Sequence, residues 1–569
     1  MHSATILAAM SLSTLTWAGN NPTDSGTTGY AQQIYVDNQS TCSGTRCGSQ
    51  ANPYKTISEA VNRLQPGDEV IIAGRDGFPY YDWFNLPKLD KSPAVTPPTL
   101  IRGWKGMPMP TIRGSLPYTE WLPGKQPNSY YLHWEYIPAD DPGSILEPQQ
   151  VYRNNTSLRQ IGGRIFGGYP DKKSASLQAE EIWPGRISGK NQLDLMPNQF
   201  YYEKSTNILH VRLDSPLKTN KEGKIVEPME VSIRHFLAVN NTSYRVNNIT
   251  FKGLLFERSN TSYYWRGGAI LLNGNDITLD GLAVQDMDSF CVQLSGNNNT
   301  LRDSTIQRCG QLGLAAGGNN LTVSGNQFLH NNTRLFNQFW EAGAMKFVSA
   351  TPLSNSRITN NLVAFTKQAT GIWLDTFQDN NLIANNQLAY NEGIGIHIEM
   401  SNAANIQGNT IIGSGAQGIQ VVDSNGTTIS GNVIAANTQD AVLIQSDSRA
   451  VANPKYRSIN NKVSGNIFAW NWENSAVKNH RSIAIPRDAT TTVNANTYCG
   501  SGVGLPKSLR FVLENNALDW PSWKNAGKDR DSTQLVGPLP PELQDRMHKG
   551  DLALVKSQAL VNYIKSSCK

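Results

Sequence analysis

The chain has 569 residues, of which 39% are hydrophobic and only 17% are charged, with a net charge of +5 and 48 glycines. This composition is typical of a turn-rich β protein and excludes a disordered chain. Lys and Arg form no concentrated stripe, which argues against a nucleic-acid partner. The modest positive charge mildly favours an acidic glycan over a neutral one, although a neutral substrate is compatible with it.

The N-terminus resembles a secretory signal. Residues 4–18 are small and apolar and end at Ala18, so we expect a signal peptide over 1–18. No other segment is apolar enough, over sufficient length, to span a membrane. We therefore expect a secreted or periplasmic protein.

The six cysteines are an even number and fit a compartment that permits disulfides. The pairs that their positions indicate are Cys42 with Cys47, Cys291 with Cys309, and Cys499 with Cys568. The first would close a small loop and the third would hold the C-terminus. The second would join adjacent coils or remain as two buried thiols.

Residues 19–95 predict an N-terminal cap and the first coils of a solenoid. Residues 34–37 and 69–72 have the pattern of strands. Between them, apolar residues recur at helical spacing from Ile57 to Leu64. A short helix in this position would cover the open end of a stack of strands.

Residues 96–235 interrupt the repeat and predict an inserted β-rich subdomain. The segment is rich in Trp and Tyr, and residues 199–212 predict a hairpin that turns at 204–207. The subdomain would either form a wall of a cleft beside the solenoid or serve only as a packing module.

Residues 236–480 carry an internal repeat that decides the fold class. An aliphatic residue, two variable residues and an asparagine recur, with the asparagines at positions 326, 361, 386, 409, 432 and 466. The steps between the middle four are nearly constant, and the longer step on either side of them indicates an inserted loop. Turn-forming residues separate short strands, and the period is too short for a propeller blade, which would need about 40 residues. We predict an all-β fold, a right-handed parallel β-helix with asparagine ladders along its turns.

Residues 481–569 predict a C-terminal cap. The repeat decays after Trp470, a Pro-rich turn follows at 538–541, and a terminal helix is expected from about residue 551 to residue 564. The expected architecture is therefore a solenoid with an inserted β-rich subdomain and helical end caps.

Two strands one repeat apart carry the chemistry. Residues 371–375 read Gly-Ile-Trp-Leu-Asp, and residues 395–399 read Gly-Ile-His-Ile-Glu. Because side chains alternate along a strand, the aliphatic residues point inward and the functional residues outward. Asp375 and Glu399 hold the same position in consecutive repeats and should therefore lie side by side on one outer wall.

A pair of carboxyl groups at this spacing is the arrangement that glycoside hydrolysis uses. Adjacent strands lie about 4.8 Å apart, which fits the roughly 5–5.5 Å of retaining enzymes better than the roughly 6.5–9.5 Å of inverting ones. Ionising both groups together is costly, which would leave one acid and one base. We assign Asp375 as nucleophile and Glu399 as acid/base.

The same wall offers residues for substrate binding. We predict a substrate-binding role for Trp373, His397, Lys346, Gln420, Glu341 and Trp340. An exposed indole would provide a floor for a sugar ring. Lys346 would equally well form a salt bridge with Asp375 or Glu399, and His397 would equally well make a structural hydrogen bond. An isolated outward Asp or Glu is usually only a solvated surface residue, so the coincidence of Trp, His, Asp and Glu on two coils carries the argument.

At these strands the chain resembles the parallel β-helix glycoside hydrolases of the β-xylosidase type. In that group an Asp and a Glu on adjacent coils act as nucleophile and acid/base, and a β-sandwich interrupts the helix after its first coils. The resemblance implies these roles for Asp375 and Glu399 and places the insertion before Arg234. The strand that ends in Glu399 differs from that group's acid/base strand, so a xylan-type substrate is not implied.

Two other functions remain open. A polysaccharide lyase or uronate epimerase would use Lys346 or His397 as base and would need a cation for the uronate carboxylate. No outward Asp cluster for Ca²⁺ is evident, and we expect no metal and no cofactor. The third possibility is a non-catalytic, glycan-binding or adhesive solenoid. In each case we expect a polysaccharide or oligosaccharide partner.

Overall fold

The computed structural model describes residues 29–89, 97–137, 145–161, 189, 191–240, 243–260, 267–336, 338, 341–348, 351–471, 482–488, 490–500, 511–556 and 558–569. The expected signal peptide at 1–18 lies outside these residues, as does Trp340. The described part of the chain is mostly β and forms a right-handed parallel β-helix. It contains an inserted β-rich subdomain and helical segments at both ends, as the sequence predicts.

Three long sheets run along the solenoid, and each coil contributes one strand to each of them in turn. The first sheet contains Gln33–Val36, Glu69–Ile72, Thr99–Gly103, Ile249–Lys252, Ile277–Asp280, Thr300–Arg302, Thr322–Ser324, Arg357–Thr359, Leu382–Ala384, Asn405–Gln407, Thr428–Ser430, Lys462–Ser464 and Thr492–Asn494. The second contains Thr111–Arg113, Leu255–Glu257, Ala283–Gln285, Thr305–Gln307, Gln327–Leu329, Leu362–Ala364, Gln387–Ala389, Thr410–Ile412, Val433–Ala435, Ile467–Ala469, Thr497–Gly500 and Thr533–Val536. The third contains Phe84–Leu86, Ala238–Asn240, Gly268–Asn273, Phe290–Ser295, Leu312–Gly317, Gly343–Phe347, Thr370–Asp375, Ile396–Glu399, Ile419–Val422, Val442–Gln445, Ile483–Ile485, Phe511–Leu513 and Asn516–Leu518.

Inward aliphatic side chains from all three sheets form one continuous core. Ile372, Leu374, Ile396 and Ile398 belong to it and are fully buried. Strands of consecutive coils pair in parallel and in register, so inward positions stack on inward positions. The last pair of the third sheet, Phe511–Leu513 with Asn516–Leu518, is antiparallel. Burying each such side chain stabilises the fold by about 1.5–3 kcal/mol.

The expected asparagine ladder lies buried between the first and second sheets. Each side-chain amide except the last donates from Nδ2 to the Oδ1 atom of the asparagine one coil later, at 2.9 or 3.0 Å, and the last donates to Asp529 Oδ1. The members are Asn326, Asn361, Asn386, Asn409, Asn432, Asn466 and Asn496. The residue before each of them has φ between 55° and 70°. This left-handed conformation suits Gly and Asn, which explains the recurring Gly-Asn and Asn-Asn pairs.

The inserted subdomain consists of two small sheets that share a second core. One contains Ser115–Tyr118, Met229–Ser232, Val151–Arg153 and Thr156–Ser157, and the other contains Leu122–Pro123, Ser129–His133, Ile208–Arg212, Gln199–Glu203 and Arg159–Gln160. The hairpin expected at 199–212 is present, with Glu203 paired to Ile208 across the turn.

The helices are short and lie at the ends of the solenoid or in connections. They are Ile57–Val61, Ser448–Ala452, Trp520–Asn525, Pro541–His548, Ala553–Lys556 and Ala559–Ser567, with single 3₁₀ turns at Gln192–Asp194 and Pro454–Tyr456. The N-terminal helix has a capping box between Thr56 and Glu59. The single terminal helix expected over about 551–564 is wrong, because this stretch is divided between Ala553–Lys556 and Ala559–Ser567.

Three disulfides join the pairs named from the sequence. They are Cys42–Cys47, Cys291–Cys309 and Cys499–Cys568. The middle pair is therefore a disulfide and not two buried thiols. No helix among the described residues has both the length and the apolar character needed to cross a membrane.

Candidate active site

The outer face of the third sheet brings the expected site residues together on consecutive coils. Asp375 and Glu399 are paired in register, as are Trp373 and His397. Glycines make this close stacking possible, because a Cβ on Gly371 would lie 2.7 Å from the carbonyl oxygen of Gly395. The sequence motif of both strands therefore reflects close backbone approach as well as alternation.

A second row of outward side chains runs beside the carboxyl pair. Lys346 is in register with Trp373, and Gln420 is in register with His397. The row thus runs Lys346, Trp373, His397, Gln420 over four coils, as the sequence predicts. Glu341 is half-buried, and its charge acts on Lys346.

Each carboxylate of the pair has its own cation. Lys346 Nζ lies 3.0 Å from Asp375 Oδ2, and the Thr376 hydroxyl donates to Asp375 Oδ1 at 2.8 Å. On the next coil, Arg449 Nη1 lies 2.7 Å from Glu399 Oε1. Two cations therefore offset the repulsion between the carboxylates. Of the roles left open for Lys346, the salt bridge to Asp375 is the one present.

Arg449 is the functional residue that the sequence analysis missed. It lies in the helix Ser448–Ala452, within the loop that lengthens its repeat, and it contacts three carboxylates. Besides Glu399, its Nε lies 2.8 Å from Asp423 Oδ2 and its Nη2 lies 2.8 Å from Asp447 Oδ2. Asp447 also caps this helix by accepting from the Arg449 backbone N–H. The longer step signalled the loop, but no local pattern indicated that its arginine reaches back to Glu399.

Trp373 is not the exposed sugar platform that the sequence analysis expected. Its side chain is only 4% exposed. Lys346 Nζ lies 3.3 Å from the centroid of its ring, and the His397 ring stacks on it with centroids 4.9 Å apart. Since these partners come from coils on opposite sides of Trp373, both faces of the indole are occupied. The coil spacing suits stacking between these side chains, which leaves no ring face for a sugar.

The edges of the two buried rings nevertheless carry unsatisfied polar atoms. Trp373 Nε1 and His397 Nε2 are buried and have no hydrogen-bond partner among the described residues. Buried polar atoms are nearly always paired in folded proteins. These two atoms are therefore candidates for contact with a bound polar molecule.

Burial shifts the pKa values of His397 and Lys346, the two titratable residues in the row beside the carboxyl pair. Desolvation, together with the positive charges of Lys346 and Arg449, lowers the pKa of His397 to about 3. The imidazole is therefore neutral at ordinary pH. Burial also lowers the pKa of Lys346, although the adjacent Asp375 carboxylate opposes this shift.

The carboxyl pair is surrounded by ion pairs. Within the described ranges, no three His, Cys, Asp or Glu side chains are grouped as metal ligands, and the Arg449 guanidinium lies among Glu399, Asp423 and Asp447. A cavity of about 630 Å³ lies elsewhere, beside the strand Thr492–Asn494 of the first sheet. Its lining includes none of the expected site residues.

Comparisons with known proteins bear on the fold. Residues 235–351 and 347–483 match the family model described as "Right handed beta helix region". No curated protein matches the chain at a significant level. The solved structure described as "The complex structure of XylC with xylose" is 12% identical, covers 85% of this chain and 86% of its own, and has a TM-score of 0.57.

Two further structures are less similar. One described as "Glycoside hydrolase" is 12% identical and covers 90% of this chain and 100% of its own, with a TM-score of 0.47. The GH136 lacto-N-biosidase from Eubacterium ramulus is 12% identical and covers 89% of this chain and 67% of its own, with a TM-score of 0.39. At these identities the similarity concerns the fold alone. The parallel sheets, the family model and the XylC structure agree that the repetitive region of this chain is a right-handed β-helix.

Proposed function

We propose that this protein is a secreted, carbohydrate-active enzyme that hydrolyses glycosidic bonds with retention of configuration. The observation that carries the proposal is the in-register pairing of Asp375 and Glu399 on adjacent coils, each held by its own cation. The spacing of adjacent strands, about 4.8 Å, supports the shorter separation used by retaining enzymes.

Asp375 is the proposed nucleophile. Its attack on the anomeric carbon forms a glycosyl-enzyme ester while the bond to the leaving oxygen breaks, and water then hydrolyses the ester. The salt bridge to Lys346 and the hydrogen bond from Thr376 fix the position of the Asp375 carboxylate.

Glu399 is the proposed acid/base. As acid it gives its proton to the leaving oxygen, and as base it accepts a proton from the attacking water. Arg449 Nη1, 2.7 Å from Glu399 Oε1, holds this carboxyl group in place for the second step. In the first step the substrate has to displace Arg449, whose side chain is 37% exposed and belongs to a short helix.

A uronate lyase or epimerase is the second candidate, and two observations favour it. Arg449 beside Glu399 would neutralise a substrate carboxylate, and the lowered pKa of Lys346 would help this residue act as a base. A lyase product contains a new double bond that absorbs in the ultraviolet, whereas a hydrolase product does not.

The test is incubation of the full chain with neutral and uronate-containing polysaccharides while reducing ends and ultraviolet absorbance are both followed. A retaining hydrolase releases reducing ends without absorbance, and proton NMR of the first product shows the anomer of the substrate. Inversion would contradict the nucleophile role of Asp375. An increase in ultraviolet absorbance would show that the reaction is elimination and not hydrolysis. Binding of a polysaccharide without turnover would indicate a non-catalytic, glycan-binding solenoid.

A further inference from the structure

An exposed aromatic side chain stands at the end of the strand that carries Asp375. Phe377 is 42% exposed and follows Asp375 by two residues, so their Cα atoms lie within about 7 Å. Four residue steps separate Asp375 from Asp379, whereas three separate their partners Glu399 and Asn402 on the next coil. This turn therefore contains one residue more than the next one.

The backbone of this turn is firmly held. Thr376 and Phe377 have φ values of 60° and 64°, a conformation that bulky residues rarely adopt. Thr376 N–H donates to the Glu399 carbonyl at 3.0 Å, and Phe377 N–H donates to the Met400 carbonyl at 2.7 Å. The Gln378 side chain donates to the Asp375 carbonyl at 2.8 Å. The extra residue thus presents its aromatic ring outward from a fixed position.

The loop that carries Arg449 brings a second ring to the first. Tyr456 lies in the 3₁₀ turn Pro454–Tyr456, and its ring centroid is 6.2 Å from that of Phe377. Lys455 Nζ lies 4.9 Å from the centroid of Tyr456 and 5.6 Å from that of Phe377. These three side chains, Phe377, Lys455 and Tyr456, form what we call the aromatic edge.

The loop that carries Lys455 and Tyr456 is anchored at both ends, and one anchor is a residue of the carboxyl pair. Arg449, which precedes Lys455 in the same loop, contacts Glu399. At the far end of the loop, the Ser458 hydroxyl donates to the Gln445 carbonyl at 2.6 Å. The loop therefore holds the aromatic edge and the arginine of the site in one arrangement.

The charge of the aromatic edge is positive. Lys455 and Arg457 are not buried, and neither forms an ion pair with a carboxylate in the described part of the chain. The exposed Phe377 ring, beside cations that have no carboxylate partner, indicates a ligand that has an apolar face and negative charge. A uronate ring, with its C–H face and its carboxylate, has both properties.

We propose that the aromatic edge is a subsite for an acidic sugar residue next to the bond that is cleaved. The sugar ring packs on Phe377 and Tyr456, and its carboxylate binds Lys455. This assignment rests on the proposed function, because it places the cleaved bond at Asp375 and Glu399.

Binding to the full-length chain carrying Asp375→Asn, measured by calorimetry at low salt, tests the subsite. The probes are tetramers of galacturonate and mannuronate, with xylotetraose as the neutral probe. We expect at least one uronate tetramer to bind. Phe377→Asn, which keeps the left-handed backbone easily, and Tyr456→Ala should each weaken that binding about tenfold. Lys455→Gln should weaken it and reduce its dependence on salt.

Phe78→Ala, at an exposed phenylalanine 53% accessible to solvent, and Lys462→Gln, at an exposed lysine on the first sheet, are the matched controls. Unchanged affinity in Phe377→Asn, equal losses in the controls, or no binding of any uronate tetramer would overturn the proposal. If the aromatic-edge variants lose binding while the wild-type chain turns over no substrate, the proposed hydrolysis fails, and the aromatic edge stands only as a binding site for an acidic sugar.

Discussion

Two turns of the same solenoid differ in almost every respect. Between the first and second sheets, the same buried asparagine recurs from coil to coil and each one bonds to the next. After the third sheet, the turns vary in length and residue type, and they carry Phe377 and the loop with Arg449. In the turn between the first and second sheets, repetition lets the asparagine of one coil satisfy the hydrogen-bonding groups of the next. In the turn after the third sheet, variation creates a site that occurs once. We therefore expect substitutions at the ladder to affect stability and substitutions at the site turn to affect turnover.

The largest expected effect is loss of turnover at the carboxyl pair. Asp375→Asn or Glu399→Gln should lower kcat by about 10²–10⁴-fold, because each removes a group required in the chemical step. Melting temperature should change little in Glu399→Gln, because Arg449 keeps its contacts to Asp423 and Asp447. Asp375→Asn removes the charge partner of the buried Lys346 and should lower the melting temperature. Glu392→Gln, at an exposed carboxylate paired with Lys367, is the control and should retain activity. A variant that loses its fold together with its activity would point to a structural role.

The next largest effect should come from the ladder. Asn409 donates to Asn432 Oδ1 and to the Ile383 carbonyl, both at 2.9 Å. Asn409→Ala removes these bonds and also the Oδ1 acceptor of the buried Asn386 backbone N–H and side-chain amide. It should lower the free energy of unfolding by about 3 kcal/mol. Chemical denaturation measures the loss. Activity per folded molecule should be unchanged, and a fall in kcat would show that ladder and site are coupled.

Buried His397 should make the site wall sensitive to acid. Its pKa is about 3 in the folded protein and about 6.5 in an unfolded chain. As pH falls from 6.5 towards 3, only the unfolded chain takes up this proton, so stability is lost. Between pH 7 and pH 5 the loss should be about 2 kcal/mol. His397→Gln should lack this component when unfolding is measured at both pH values, and an identical loss in the variant would contradict the assignment.

A smaller effect is expected in the loop of Arg449. Arg449→Gln removes the contacts to Glu399, Asp423 and Asp447 and should lower the local opening free energy of Ser448–Ala452 by about 1 kcal/mol. Hydrogen exchange of these amides should become about fivefold faster, while the amides of the asparagine ladder exchange as before. Faster exchange at both turns would mean that the arginine supports the whole stack.

The smallest effect should come from an exposed ion pair. The side chains of Lys367 and Glu392 are 48% and 43% exposed, and their charged atoms lie 2.7 Å apart. Lys367→Gln should change the free energy of unfolding by less than about 1 kcal/mol and leave kcat unaltered. A loss of unfolding free energy as large as that expected for Asn409→Ala would contradict the expectation that ladder contacts stabilise the fold more than surface ion pairs do.

The fold and half of the site could be predicted from local patterns. Asparagines that recur at a nearly constant step indicated both the coils and the ladder, because residues one repeat apart in a solenoid lie next to each other on adjacent coils. The same logic placed Asp375 beside Glu399 and Trp373 beside His397. It failed for the exposure of Trp373, since burial depends on the neighbouring side chains that stack on the ring. It also failed for the terminal helix expected over 551–564, where packing against the solenoid divided one helical pattern into two segments.

The sequence alone determined the phase of the coils, and with it which side chains point inward and which share the outer wall. Only the tertiary structure decided what lies beside that wall: Lys346 bonded to Asp375, and Arg449 and Tyr456 brought in by a loop. The physical reason is that the alternation of side chains depends only on neighbouring residues, and the repeat depends only on neighbouring coils. The path of an inserted loop depends instead on all the contacts it makes when folded.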